Sequence, residues 1–283
     1  MRYIDLHVHS NCSDGTFSPE ELVVLGIKQE LVAFALTDHD TISGVERAIK
    51  KAEEFDNKIQ VIPGMELSCK YLLSSSQSVE IHMLGYRYDI HNKKLIATLE
   101  DISNERDERN RKMCSNLQNA GFPISYDMLC ERFGDTILTR AHFARLLLEN
   151  GGVPSLDYAF RTCLSSDSPY FVNREYLTPK DAIDLIRASG GIPVLAHPLL
   201  YKLSVSQIRR LLDDLTSYGL CGIEAIYSRN RGTDEAFVRK LAEEYHLFIT
   251  GGSDFHGANK PDIELGRGTG NLRVPVMLLE NLR

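Results

Sequence analysis

Two blocks of alternating strand and helix patterns, separated by a long helical stretch, constrain the fold of this 283-residue chain most strongly. In the first block, apolar runs at 3–8 and 32–36 predict strands, and the sequence SPEE at 18–21 predicts a capped helix start. The alternation returns after 177, with strands predicted at 192–196, 222–226 and 247–250. Such alternation is typical of α/β proteins whose helices cover a largely parallel sheet or barrel.

The helical stretch interrupts this pattern between residues 92 and 176. It begins with the charged run ERDERNRK at 105–112, whose mixed signs predict a solvated helix face rather than a nucleic-acid-binding patch. We therefore expect one barrel-like α/β domain, formed by 1–91 and 177–283, with a helical insertion domain at 92–176.

Histidines and carboxylates recur at the ends of the predicted strands. His7 and His9 close the first strand, and alternate residues of an extended chain face the same side, so both imidazoles can point at one metal ion. Strand ends meet at one face of a barrel or open α/β sheet. The full set of candidate metal ligands is His7, His9, Asp14, His39, Glu66, His82, His197, Asp254 and His256.

Each of these residues taken singly also has a structural explanation. Asp14 precedes a glycine as a turn residue would, Glu66 could be an exposed strand-end charge, and His82 could be a hydrogen-bonded core histidine. Their joint occurrence along the predicted strands favours a metal site. Asp38 and Asp40 flank His39 and could orient its imidazole.

The chemistry of the ligand set indicates more than one ion. Nine side chains exceed the four ligands of one tetrahedral zinc, so we expect two or three divalent ions. Mixed imidazole and carboxylate ligands suit Mn²⁺, Fe²⁺ or Zn²⁺. Glu66 could bridge two ions through its two carboxylate oxygens.

The composition of the chain limits its expected cellular location and its expected binding partners. The formal net charge of −7 argues against a surface for long duplex nucleic acid, although it allows small anionic substrates. The six cysteines show no CxxC spacing, which predicts reduced thiols in a cytoplasmic protein. The first residues lack the apolar core of a signal peptide, and no segment predicts a membrane span.

These motifs together resemble the polymerase and histidinol phosphatase (PHP) family. The resemblance rests on DLHVHS at 5–10, SDG at 13–15, TDHD at 37–40, PGME at 63–66, His82, AHP at 196–198 and SDFH at 253–256. It implies a distorted (β/α)7 barrel and metal-dependent hydrolysis of phosphoesters by a metal-activated hydroxide. It further implies a trinuclear centre, with Mn²⁺ favoured, that uses all nine candidate ligands and places catalysis at Asp254, His39 and His256.

Within the PHP family, the insertion resembles one branch in particular. Its sequence LTRAHFAR at 138–145, followed by ENG at 149–151, is similar to the branch containing 3′,5′-nucleotide bisphosphate phosphatases and the 5′–3′ exoribonuclease ribonuclease AM. That resemblance implies a helical cap domain and a small nucleotide or short 5′-phosphorylated RNA as substrate. Arg140 and Arg174 carry forked donors that match phosphate oxygens, and we expect His142 and Asn173 to assist them.

Three functions other than a nucleotide phosphoesterase are also to be considered for this sequence. A histidinol-phosphate phosphatase, or another small-molecule phosphomonoesterase, would share the ligand set, but the insertion motif argues against it. A non-enzymatic domain would need fewer ligands and no open coordination position. A DNA-directed exonuclease is disfavoured by the acidic charge balance.

Overall fold

A computed structural model describes residues 2–134 and 136–282. The chain divides into two compact units. One unit comprises the chain up to Ala97 together with the chain from Tyr176 onward, and the other comprises Thr98–Glu175. We refer to them as the barrel unit and the helical unit.

The barrel unit is built on one curved sheet with the strand order β7-β6-β5-β4-β3-β2-β1-β8. The sheet curves round so that β7 approaches β1, because Val8 of β1 pairs in parallel with Phe255, which follows β7. The sheet is therefore a nearly closed barrel, and the predicted α/β barrel fold is confirmed. The strands are β1 (Tyr3–Val8), β2 (Leu31–Leu36), β3 (Gln60–Leu72), β4 (Ser78–Tyr86), β5 (Ile192–Leu195), β6 (Gly222–Tyr227), β7 (Phe248–Gly252) and β8 (Val274–Pro275).

The helices follow the predicted starts closely. Ser18 caps α1 in a capping box with Glu21, and Thr178 and Ser204 cap two later helices through their hydroxyl groups. The α-helices are α1 (Pro19–Lys28), α2 (Val45–Glu53), α3 (Lys93–Asn119), α4 (Tyr126–Phe133), α5 (Arg140–Glu149), α6 (Leu156–Tyr158), α7 (Pro179–Ala188), α8 (Val205–Tyr218) and α9 (Asp234–Glu244), supplemented by a π-helix at Ala159–Cys163 and 3₁₀ helices at Pro198–Tyr201, Gly257–Asn259 and Val276–Leu282.

The distortion of the barrel lies in β3 and β4. These two strands form an antiparallel hairpin with Glu66 opposite Leu84 and Ser68 opposite His82, and β4 is also antiparallel to β5. β3 runs from Gln60 to Leu72, well past Glu66. Glu66 and His82 therefore lie inside strands, whereas His9, His39 and the ligands after β5 and β7 follow strand ends.

Alternate strand residues fill the barrel interior. Ile4 and Leu6 of β1, Ala33 and Ala35 of β2, and Val194 of β5 belong to one buried apolar cluster. Side chains of the 3₁₀ helix Val276–Leu282 pack against the same cluster. This apolar core holds the strands in the register that positions the polar side chains described below.

The helical unit has its own apolar core, which includes Met113, Leu117 and Phe143. The prediction that 105–112 forms a solvated helix face is wrong for three of its residues. Arg106 and Arg109 are only 5% and 4% exposed, and Asn110 is fully buried, with its Nδ2 donating to the Leu138 carbonyl at 3.0 Å. These positions lie three and four residues apart, so they occupy the inner face of α3.

Two further expectations concern cysteines and membranes. All six cysteines carry free thiols, in agreement with the absence of a disulfide pattern in the sequence. Each helix in the described part of the chain is too short or too polar to span a bilayer.

Candidate metal centre

Two imidazoles and two carboxylates meet near the carboxyl ends of β1 and β7. His7 Nε2 and His9 Nε2 lie 3.3 Å and 3.2 Å from Glu66 Oε2. The same nitrogens lie 3.7 Å and 3.5 Å from Asp254 Oδ1. Side chains from β1, β3 and the end of β7 thus surround one point. We call these four potential ligands, His7, His9, Glu66 and Asp254, the first group.

Glu66 lies at the centre of the larger cluster. Its Oε1 faces His82 Nδ1 at 2.8 Å and His197 Nε2 at 2.9 Å. Its Oε2 faces His39 Nδ1 at 3.2 Å, in addition to the first group. Because the two oxygens face different imidazoles, this carboxylate can bridge two ions.

Asp14, His39 and His256 form a further group next to His9. Asp14 Oδ1 lies 3.1 Å from His256 Nε2, and Asp14 Oδ2 lies 3.8 Å from His39 Nε2. His256 Nδ1 is 2.9 Å from the Asp254 carbonyl oxygen, so a proton on Nδ1 leaves the Nε2 lone pair directed at Asp14. The structure thus brings together all nine predicted ligands: His7, His9, Asp14, His39, Glu66, His82, His197, Asp254 and His256.

The hydrogen bonding of these atoms is what a metal site requires. Among the described residues, His7 Nε2, His9 Nε2, His39 Nδ1 and Glu66 Oε2 are buried and make no hydrogen bond, although they lie close together. Buried polar atoms ordinarily have hydrogen-bond partners. Buried nitrogen and oxygen atoms that converge in this way without a hydrogen-bond partner fit coordination of a divalent cation. The ligand atoms of His7, His9 and Glu66, for example, lie within 4.8 Å of one another.

The electrostatics of the metal-free cluster favour ionised carboxylates. Burial would raise the pKa of Glu66, but the surrounding imidazoles, His39 and His7 foremost, lower it well below its usual range. Burial would lower the pKa of His82, yet Glu66 raises it to about 10. At His39, burial prevails and lowers the pKa to about 3. The carboxylates are therefore ready to coordinate, and metal uptake would displace protons from part of the imidazoles.

Close backbone approaches help to build the site. At Gly252, an added Cβ would lie 2.3 Å from the Cβ of His7, so only glycine allows β7 to approach β1 this closely. Two residues later, the amide of Asp254 donates to the His7 carbonyl at 2.9 Å. Asp254 and His197 have φ angles of 57° and 21°, in the left-handed region that costs free energy for residues other than glycine.

The aspartates around His39 support the neighbouring chain. Asp38 accepts hydrogen bonds from Ser10 N at 2.8 Å, Ser10 Oγ at 2.6 Å and Ser13 Oγ at 2.6 Å. Asp38 therefore holds the loop that carries Asp14, in place of the predicted contact to the His39 ring. Asp40 accepts from Ser68 N at 2.9 Å and thereby binds to β3.

Residues that the sequence prediction did not include hold Asp254 and His7 in place. Tyr227 Oη donates to Asp254 Oδ2 at 2.7 Å, and Lys260 Nζ lies 2.6 Å from the same oxygen. Glu224 Oε1 lies 3.0 Å from His7 Nδ1. The one sequence signal for Glu224 is a carboxylate within the otherwise apolar strand GIEAIY.

The predicted substrate-binding residues all lie in the helical unit. Arg140 is the first residue of α5, with its guanidinium 6.0 Å from the centre of the Phe171 ring. His142 is buried, and its Nδ1 accepts from Thr139 N at 2.9 Å in the capping box of α5. Arg174 is 9% exposed, whereas Asn173 is exposed. Their contact with a substrate stays a prediction.

Comparison with known proteins identifies the family. Residues 5–153, more than half of the chain, match the PHP domain. This chain belongs to the PHP domain family. The PHP chain is 34% identical over 252 residues to the 5′-3′ exoribonuclease of Haemophilus influenzae, with 89% of each chain covered. It is 32% identical over 269 residues to the 3′,5′-nucleoside bisphosphate phosphatase of Chromobacterium violaceum, covering 94% of this chain and 91% of that protein.

A solved structure supports the same assignment. A Bifidobacterium adolescentis protein described as a metal-dependent phosphoesterase superposes with a TM-score of 0.85 at 27% identity. The match covers 99% of this chain and 95% of that one. The predicted PHP family resemblance is thus confirmed, and the His/Asp/Glu cluster is one that is able to bind metal ions.

Proposed function

We propose that this PHP protein is a divalent-metal-dependent phosphoesterase that hydrolyses nucleotide phosphates. Its substrates would be 3′,5′-nucleoside bisphosphates, short 5′-phosphorylated RNA, or both. The observation that carries this proposal is the convergence of nine imidazole and carboxylate groups around Glu66. The names of the two relatives, a bisphosphate phosphatase and an exoribonuclease, support the substrate class.

The proposed cofactor is two or three divalent ions, with Mn²⁺ favoured over Fe²⁺ and Zn²⁺. All nine ligands are nitrogen or oxygen donors, which suit these metals and give no preference for thiophilic ones. In this assignment one group is His7, His9, Glu66 and Asp254, a second adds His82 and His197, and the third is Asp14, His39 and His256. The distances from Glu66 Oε1 to His82 and His197 and from Asp14 Oδ1 to His256 support this partition. His39 Nδ1 lies 3.2 Å from Glu66 Oε2 and so adjoins the second group as well.

Bound divalent ions would lower the pKa of a water molecule and neutralise phosphate oxygens. The residues of the chain determine where this happens. Asp254 turns Oδ1 towards His7 and His9, while Tyr227 and Lys260 hold its Oδ2. Its ligand oxygen is thus fixed in advance, which spares reorganisation during the reaction.

We place catalysis at Asp254, His39 and His256, because these residues lie where the first and third ligand groups adjoin. Asp254 Oδ1 of the first group is 3.3 Å from His256 Nδ1 of the third, and His39 Nδ1 of the third is 3.2 Å from Glu66 Oε2 of the first. Recognition of the second phosphate of a bisphosphate, or of the RNA chain, is assigned to Arg140, His142, Asn173 and Arg174. Guanidinium groups suit this task because they bind phosphate oxygens in a bidentate manner.

The test compares three substrates on one preparation of protein. Metal is stripped with a chelator and Mn²⁺, Fe²⁺ or Zn²⁺ is added back. 3′-Phosphoadenosine 5′-phosphate, a 5′-phosphorylated RNA oligomer and histidinol phosphate are then assayed side by side. We expect release of inorganic phosphate from the bisphosphate, or of 5′-nucleotides from the RNA, only after metal is restored.

A 5′-hydroxyl RNA of the same sequence serves as the matched control for recognition of the terminal phosphate. Hydrolysis of histidinol phosphate alone would contradict the proposed substrate class and favour a small-molecule phosphomonoesterase. Equal hydrolysis by metal-free protein would contradict the metal-dependent mechanism.

A further inference from the structure

Glu224 is a buried carboxylate in the middle of β6, outside the nine-ligand set. It is 1% exposed and is flanked by the apolar residues Ile223 and Ala225. A carboxylate buried among strand residues costs free energy unless hydrogen-bond donors compensate both of its oxygens. The hydrogen-bond partners of Glu224 therefore indicate its role.

Each oxygen of Glu224 contacts a different predicted metal ligand. Oε1 lies 3.0 Å from His7 Nδ1, and Oε2 accepts the backbone N–H of His197 at 2.8 Å. His7 belongs to β1, and His197 follows β5. One side chain thus fixes ligands from two strands that are not neighbours in the sheet.

The contact with His7 determines which ring nitrogen faces the cluster. When Nδ1–H donates to Glu224, the lone pair of Nε2 is available on the opposite side of the ring. That nitrogen is the one that lies 3.3 Å from Glu66 Oε2 and makes no hydrogen bond to a described residue. The carboxylate therefore selects the tautomer in which His7 coordinates through Nε2.

The contact with His197 acts on the backbone. His197 has a φ of 21°, an unfavourable value for an imidazole-bearing residue, and its Nε2 lies 2.9 Å from Glu66 Oε1. A charge-assisted hydrogen bond from its amide to Glu224 stabilises this conformation. The imidazole is thereby held towards the bridging carboxylate.

We propose that Glu224 is a positioning residue of the metal centre, which sets the orientation of His7 and His197 for coordination without binding metal or substrate itself. This inference rests on the proposed function, because it takes His7 and His197 as metal ligands. It predicts that the charge and both oxygens of Glu224 are needed, since an amide replaces one of the two acceptor oxygens with an NH₂ group that would face an N–H donor.

The test is Glu224→Gln, compared with the wild type and with Glu243→Gln. Glu243 is exposed on α9, so the control makes the same chemical change away from the cluster. Mn²⁺ affinity is measured by competition with a chromophoric chelator, and activity is measured as a function of free Mn²⁺. We expect a loss of about 10- to 100-fold in Mn²⁺ affinity for Glu224→Gln and none for the control. Activity at saturating Mn²⁺ should return to within a few fold of the wild-type value.

Unchanged Mn²⁺ affinity in Glu224→Gln would overturn the inference, and so would a loss of activity that excess metal does not restore. If the Gln variant fails to fold, Glu224→Asp provides the test. It keeps the charge but is one methylene too short to reach both partners, so we expect weakened metal binding again. Wild-type protein that binds Mn²⁺ but hydrolyses none of the three substrates would contradict the proposed function alone, because metal affinity is measured independently of turnover.

Discussion

Both compact units bury charged side chains, but with different geometry. In the barrel unit, carboxylates and imidazoles from separate strands lie within 4 Å of one another around Glu66. In the helical unit, Arg106 and Arg109 lie along one face of a single helix, and Arg109 Nη1 is 3.3 Å from the sulfur of Met113. Burial of charge alone therefore does not identify a metal site. A metal site is indicated instead by nitrogen and oxygen lone pairs that converge on one point.

The same contrast suggests a division of tasks. In the proposed function, the barrel unit would supply the ligands for cations, and the helical unit would supply guanidinium donors for phosphate. If this division holds, changes in the barrel cluster should alter metal content, whereas changes in Arg140 and its neighbours should alter substrate affinity with metal content intact.

Metal removal should have the largest effect. Stripping the protein with a chelator leaves the carboxylates and imidazoles without the cations that they are arranged to bind, so activity should disappear. Since ligands stabilise the state that binds them, Mn²⁺ at about a hundredfold excess over its Kd should add about 2.7 kcal/mol to the free energy of unfolding. We expect the melting temperature in differential scanning fluorimetry to rise by several degrees on Mn²⁺ addition. Full activity and an unchanged melting temperature in excess chelator would exclude a metal role for the barrel cluster.

Asp254→Asn should have the second-largest effect on activity. The substitution keeps the shape of the side chain, and asparagine tolerates the positive φ of this residue, but the negative charge facing His7 and His9 is lost. Residues that only support ligands typically contribute about 10- to 100-fold to activity, so a ligand should contribute more than about 100-fold. Activity and metal content per chain are the measurements.

The control for Asp254→Asn is His91→Ala, which removes an exposed histidine outside the cluster. It should retain wild-type activity and metal content. Normal turnover by Asp254→Asn would refute the assignment of this residue to the centre.

Arg140→Ala tests whether the helical unit binds a phosphate group of the substrate. Loss of one charge-assisted hydrogen bond to phosphate costs about 1.5–3 kcal/mol, which corresponds to roughly 10- to 100-fold in kcat/KM for the bisphosphate. Metal content should not change. The matched control is Arg161→Ala, because Arg161 is an exposed arginine of the same unit that pairs with Asp157. A loss of metal from Arg140→Ala, or equal effects of the two variants, would break the proposed division.

Tyr227→Phe should have the smallest effect. It removes the hydroxyl that donates to Asp254 Oδ2, while Lys260 still contacts that oxygen. We expect Mn²⁺ affinity to fall by about tenfold, the lower end for a residue that supports a ligand. Tyr245→Phe, which removes a hydroxyl bonded to the Arg209 carbonyl, is the control and should leave metal affinity unchanged. An effect as large as that of Asp254→Asn would assign Tyr227 a more direct role.

Several features of the fold follow from local sequence alone. The apolar run at Tyr3–Val8 forms β1 as predicted, and the proline and capping residues at 18–21 start α1. Such features depend on residues within a few positions of one another, so side-chain periodicity and capping chemistry are sufficient. The antiparallel direction of β4 was not predicted, because strand direction depends on how the chain connects distant segments.

For the candidate site, the sequence by itself determined which side chains could act as ligands, since imidazoles and carboxylates beside apolar runs are visible without coordinates. Only the tertiary structure decided how they are held. His7 and Glu224 are 217 positions apart and meet at 3.0 Å, and Arg106 and Arg109 of α3 are buried whereas Arg111 of the same helix is exposed. Local sequence patterns show which chemical groups are present. The partners and the burial of a residue result from the packing of the whole chain, and this packing cannot be read from a short stretch of sequence.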